Sequence, residues 1–217
     1  MNDMTIHCLG LGLATRNAKN EIIEVYYPQP LLNPDTALSS LLLASCAIQT
    51  GENSVTQIDE KLASALASKL LEAKFAKHAE QVQQMNEGQG QLILCVLFTD
   101  SAPKNVAEAY LKLHLLSHRL CKPQSLNLDG LFAVLHNLAW TNEGAIDLEE
   151  LPARQMAARL AGTTLEVASV DKFPKMTSYV VPAGVRIAHT ARVRLGAYLG
   201  AGTTVMHEGF VNFNAGT

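Results

Sequence analysis

Residues 181–217 repeat with a period of six, and that period constrains the fold more than any other feature of the chain. Cut in sixes, the segment reads VPAGVR, IAHTAR, VRLGAY, LGAGTT, VMHEGF and VNFNAG, followed by Thr217. The first place of each hexad holds Val181, Ile187, Val193, Leu199, Val205 and Val211, all aliphatic. The fifth holds Val185, Ala191, Ala197, Thr203, Gly209 and Ala215, all small or β-branched. An amphipathic helix needs apolar residues about 3.6 apart and a half-buried strand needs them two apart; neither spacing yields six. A hexapeptide period is the signature of a parallel β-helix, each hexad forming one flat face of a coil. The aliphatic side chain points into the prism, and the small one lets the chain turn the corner. Such a coil cannot bury its own inner face, so it needs stacked neighbours or a cap. At three hexads per coil the repeat makes two coils, and the last presents an open strand edge. The expectation is an N-terminal portion of a longer protein. The rival is a short protein whose open edge a partner covers.

The formal charge of −3 over 217 residues argues against a nucleic-acid or anionic-membrane partner. The first ten residues, MNDMTIHCLG, lack the basic start and long apolar run of a signal peptide. No apolar run approaches the roughly 20 residues of a membrane span. Cys8, Cys46, Cys95 and Cys121 are scattered and form no CxxC pair, as expected of reduced thiols in a cytoplasmic protein.

Ahead of the repeat the pattern alternates strands and helices. Residues 4–13 and 21–27 read as two strands joined by the polar turn RNAKN. The glycines at 10 and 12 lack the third glycine of a dinucleotide loop, so they predict a hairpin in which glycine meets a neighbouring backbone. Asn33-Pro34-Asp35 opens a helix to about residue 49, and 54–85 reads as one long amphipathic helix or two. The run QLILCVLFT at 91–99 predicts a central strand buried on both faces. Ser101 and Pro103 start a further helix. On it His114 and His118 stand four apart, a metal-ligand spacing, but no glutamate adjoins the first, and structural histidines are expected. Helices are predicted over 126–140 and 152–160, and a strand over 164–170. Residues 176–217 contain no lysine and one acidic side chain, Glu208. This shift divides the chain into an α/β domain, 1–170, and the start of a β-helix, 171–217: an α+β protein.

Within 171–217, the stretches VPAGVRIA at Val181, RVRLGA at Arg192 and GTTVMHEGFVNFNAGT from Gly202 closely resemble tetrahydrodipicolinate N-succinyltransferases. The form is that of pseudomonads and actinobacteria, and EIIEVYYPQPLLNP at Glu21 is similar to it too. The resemblance implies a homotrimer of left-handed parallel β-helices. The implied reaction moves succinyl from succinyl-CoA to the amine of ring-opened tetrahydrodipicolinate, in diaminopimelate and lysine biosynthesis. The family's catalytic glutamate lies in a V-E-G-R-like motif that this sequence does not contain, and its CoA pocket is built from later coils. No catalytic residue is therefore carried over, and the chain by itself is expected to be inactive. The resemblance does place Glu208 near the trimer axis as a magnesium ligand. The family's second acidic position there falls on Ala191, a departure from its pattern.

The period supplies some geometry without the family. His189 and His207 are 18 residues apart and share the third place of their hexads. On adjacent coils they should stack about 4.8 Å apart, like neighbouring strands. Two histidines with Glu208 beside them also suit zinc, as in β-helical carbonic anhydrases. A solvated histidine stack at a subunit interface is the plainer reading. Arg186, Arg192 and Arg194 could pair with Glu208 across subunits or bind substrate carboxylates. A non-catalytic trimerisation scaffold is the alternative from another class.

Overall fold

A computed structural model describes residues 5–217. The first strand, expected from residue 4, therefore begins in part outside the described residues. Within them β1 (Cys8–Arg16) runs into β2 (Ile22–Tyr26) through the predicted turn. Asn17 closes that turn, its side-chain oxygen accepting from the Lys19 and Glu21 amides at 3.1 and 2.9 Å. A short β3 (Leu31–Leu32) pairs with the start of β1. β4 (Ser54–Gln57) and β5 (Gln91–Leu97) complete an antiparallel sheet of order β2-β1-β5-β4, with β3 beside β1.

The continuous apolar run of β5 follows from helices on both faces of this sheet. Leu92, Leu94 and Val96 point to α1 (Thr36–Ser45), α2 (Glu60–Glu72) and α3 (Ala76–Asn86). Ile93, Cys95 and Leu97 point to α4 (Val106–Ser117). Side chains alternate across a strand, so two apolar layers demand an unbroken apolar sequence. Tyr27 is fully buried, and its ring occupies the room left by Gly10 and Gly12; a Cβ on either would come within 2.6 Å of it. The glycines thus make way for a side chain rather than for the backbone expected.

Several boundaries differ from the sequence pattern. Residues 54–57 form the edge strand β4, and α2 starts only after Asp59, whose carboxylate accepts from the Leu62 amide at 2.7 Å. Lys74, at φ +67°, separates α2 from α3. Helix α4 begins at Val106 rather than near Ser101, because the Asn105 side-chain oxygen caps it by accepting the Glu108 amide at 3.0 Å. The Glu108 carboxylate accepts the Asn105 side-chain N–H at 2.8 Å and the Lys104 amide at 2.9 Å. The helix expected over 126–140 is absent. Gly130, at φ +73°, admits only the short α5 (Leu131–Val134), and Leu138–Thr141 is strand β6. With β7 (Gly144–Asp147) and β8 (Val167–Asp171) it forms an antiparallel sheet of order β7-β6-β8. Between them α6 (Leu151–Leu160) lies on the surface with no residue buried.

The hexads behave as a stacked structure. β9 (Arg186–Ile187) and β10 (Thr204–Val205) are parallel, Val193 bridges Val211 in parallel, and Tyr198 bridges Gly216 in parallel. Every one of these pairs is separated by 18 residues, three hexads. Val193, Leu199, Val205 and Val211 are buried together with Ala197 and Met176, and Ile187 is partly buried against them. Val181 breaks the pattern at 65% exposed, its neighbour Pro182 being buried instead.

Candidate functional site

All twelve residues of α4 are buried, its many apolar positions on every side and its four polar side chains alike. One side faces the large sheet and another faces the repeat. At that seam Ser117 Oγ accepts from the Gly196 amide at 2.8 Å and donates to the Ala197 carbonyl at 3.2 Å. Gly196 sits at φ +93° with Leu113 packed where a Cβ would be, so no other residue fits easily. Just past the helix Arg119, at φ +64°, donates to the carbonyls of Leu199 at 2.5 Å and Ala183 at 2.9 Å.

Four polar side chains of α4, Glu108, Lys112, His114 and Ser117, lie inside this core. Lys112, fully buried, donates to Asp100 at 2.6 Å and to the carbonyls of Ser101 and Asn127 at 2.6 and 2.8 Å. All three ammonium protons are thereby used, so the lysine ties α4 to two loops and is not a free base. His114 meets the Tyr110 carbonyl through Nδ1 at 2.8 Å and accepts the Tyr27 amide at Nε2, 3.3 Å away. Only the neutral ring with its proton on Nδ1 satisfies both contacts. Burial accordingly pushes His114 down to about 3, against the opposing Tyr110 carbonyl bond. His118, lowered by burial as well, stacks on His114 with ring centroids 6.1 Å apart. Both ring nitrogens of His114 are thus engaged by the backbone of the fold.

Glu24, on the outer face of β2, accepts the Thr15 hydroxyl at 2.9 Å and the Tyr179 hydroxyl. Burial, then the neighbouring Tyr110 and Glu24, raises the Tyr179 phenol, which therefore remains a donor. Neither Glu24 nor Tyr179 carried a motif signal; only the tertiary fold joins residues 155 positions apart.

The repeat presents its charges differently. Arg192 pairs with Glu208 at 2.7 Å within the same chain and also donates to the His207 carbonyl at 3.0 Å. The Glu208 side chain is 93% exposed. Arg194 pairs instead with Asp171 at 2.6 Å and Asn212 at 3.1 Å, and lies over the rings of Phe173 and Phe210. Within one chain, Arg192 is the one of the three arginines that reaches Glu208. Continuing the parallel register from Ile187 and Val205 sets exposed His189 opposite exposed His207. Arg194, His189, Lys175 and Phe210 share a cavity of about 320 Å³. Among the described residues no three His, Cys, Asp or Glu side chains converge on a metal position.

Comparison with known proteins decides the lineage. Residues 64–133 match the family described as tetrahydrodipicolinate N-succinyltransferase N-terminal, and residues 135–175 match its middle counterpart. A 2,3,4,5-tetrahydropyridine-2,6-dicarboxylate N-succinyltransferase of Vibrio cholerae is 51% identical over 214 residues, covering 99% of this chain. Its counterpart in Pseudomonas aeruginosa is 52% identical over 213 residues, covering 98%. The chain belongs to the tetrahydrodipicolinate N-succinyltransferase family.

The chain spans 62% and 61% of the lengths of those two curated family members. A crystal structure from Campylobacter jejuni, provisionally assigned as a 2,3,4,5-tetrahydropyridine-2-carboxylate N-succinyltransferase, superposes with a TM-score of 0.86 at 28% identity. The alignment covers 98% of this chain and 60% of that one. Both family matches fall between residues 64 and 175, ahead of the hexad repeat.

Proposed function

We propose that the protein transfers succinyl from succinyl-CoA to the amine of ring-opened tetrahydrodipicolinate. The observation that carries this reading is 51% identity to the Vibrio cholerae enzyme along 99% of the chain. In the reaction the amine nitrogen attacks the thioester carbonyl, forming a C–N bond as the C–S bond breaks. The amine proton passes to a carboxylate base and CoA leaves as its thiol. None of the described residues is offered as that base, and these 217 residues alone are expected to be inactive. What they supply in this reading is framework: an α/β domain, 1–170, docked through α4 onto two coils of a left-handed parallel β-helix, 171–217. The constant 18-residue offset of the parallel pairs supports the coil. Trimerisation about the prism axis in the cytoplasm completes the reading. Glu208 would there meet its two symmetry copies, and three converging carboxylates call for a hard cation such as magnesium.

The test expresses the gene encoding these residues in its full reading frame and follows CoA thiol release from succinyl-CoA. Release that depends on tetrahydrodipicolinate supports the reading. A folded product that releases no thiol in its presence overturns it.

A further inference from the structure

Between the outer face of β2, the β6–β7–β8 sheet and residues 174–179 lies a cavity of about 310 Å³. That volume stands at the lower end of small-molecule sites, about 300–1,000 Å³, and it opens where three parts of the fold meet, as such sites tend to do. Its one carboxylate is Glu24. Two hydroxyls already bind Glu24, but a carboxylate can accept about four hydrogen bonds, so capacity remains. Among the described residues no cation lies within salt-bridge distance of it. The rings of Tyr26 and Tyr179, with centroids 6.3 Å apart, wall the same cavity. Trp140 joins them; its indole N–H is committed to the Asp171 carbonyl at 2.9 Å, so the ring itself is what it offers. Lys175 also lines the space, and it is paired with neither Glu24 nor any other carboxylate among the described residues.

A partly buried carboxylate among aromatic faces is the chemistry that recognises an ammonium group. An unpaired lysine on the same wall recognises a carboxylate. We propose that this cavity binds a small zwitterionic aminocarboxylate, its ammonium on Glu24 beside Tyr26 and Tyr179 and its carboxylate on Lys175. A ligand with a single charge would engage only one of the two protein charges and forgo the other contact. A metal ion is disfavoured, because Glu24 brings no second acidic, histidine or cysteine ligand into the cavity. This site stands apart from the transferase reading, and neither test decides the other.

Trp140 is the sole tryptophan of the chain, so its fluorescence reports on this cavity directly. The 217-residue chain is titrated with 6-aminohexanoate and L-norleucine as zwitterions, and with butylamine and hexanoate as single-charge probes. At least one zwitterion should saturate with a Kd about tenfold or more below both single-charge probes, a difference of about 1.4 kcal/mol. Glu24→Gln should weaken it by about tenfold or more, as expected for loss of a charged hydrogen bond. Lys175→Met, at an exposed position, should reduce the zwitterion to the level of butylamine without disturbing the fold. The proposal is overturned if neither zwitterion saturates below about 50 mM, far weaker than the millimolar affinity of a modest site. It is equally overturned if hexanoate alone matches the zwitterions, or if folded Glu24→Gln and Lys175→Met both titrate like the parent chain.

Discussion

Neutral His114 is wedged between the Tyr27 amide and the Tyr110 carbonyl, and the cost of protonating it there makes stability depend on pH. The folded value, about 3, lies below the ordinary 6.5. The unfolded chain therefore takes up this proton first as pH falls. Stability from the group is whole above pH 6.5 and is lost progressively between 6.5 and about 3. The slope approaches about 1.4 kcal/mol per pH unit for one proton. His118 and His78, lowered by burial, act with the same sign. Urea unfolding from pH 7 to pH 4.5 should show the decline, and His114→Gln should flatten it by about one proton. Parallel pH curves for the two proteins would remove His114 as the cause. Lys112 is the contrasting residue: its ammonium is fully matched by three acceptors, so its worth lies in joining loops to a helix.

Among the elements, α4 holds the two halves of the molecule together. It contributes one side to the sheet core and the other to the repeat, and Leu195 belongs to the same buried cluster as Leu111 and Leu113. Ser117 is the polar stitch in that seam. Ser117→Ala would leave the Gly196 amide and the Ala197 carbonyl without this partner, at a cost of about 1–3 kcal/mol. The Gly196 amide should then exchange its hydrogen faster than in the parent, measured by native-state exchange. Unchanged protection and an unchanged unfolding midpoint would mean that the hydroxyl contributes nothing there. Helix α6 is the opposite case, with Met156 61% and Leu160 82% exposed. It adds no core of its own to the single chain.

For the molecule as a whole, Glu208 is the informative position. Among the described residues of one chain its ion-pair partner is Arg192, and an exposed pair of this kind contributes little. In the proposed trimer three copies converge and repel one another unless a cation lies between them. Sedimentation velocity should then show magnesium strengthening the trimer, and Glu208→Gln should make assembly indifferent to magnesium. A mass that ignores magnesium in the parent chain would remove Glu208 from the axis.

The local pattern of the chain determined what depends on nearest neighbours. The six-residue period foretold the 18-residue pairing, because inward and corner positions impose opposite size limits at a fixed spacing. The apolar run at 91–97 foretold a strand covered on both faces, and the burial of His114 matched the apolar residues around it in its helix. Only the tertiary structure decided that 138–141 is a strand: its sheet partners at 144–147 and 167–171 are what hold it extended. The same is true of Glu24 with Tyr179, of Lys112 with Asp100, and of Arg192 rather than Arg194 facing Glu208. Periodicity reports which face of an element is apolar. The meeting of two charged or aromatic side chains far apart in the chain is settled by how whole elements pack, and a one-dimensional pattern carries no trace of that.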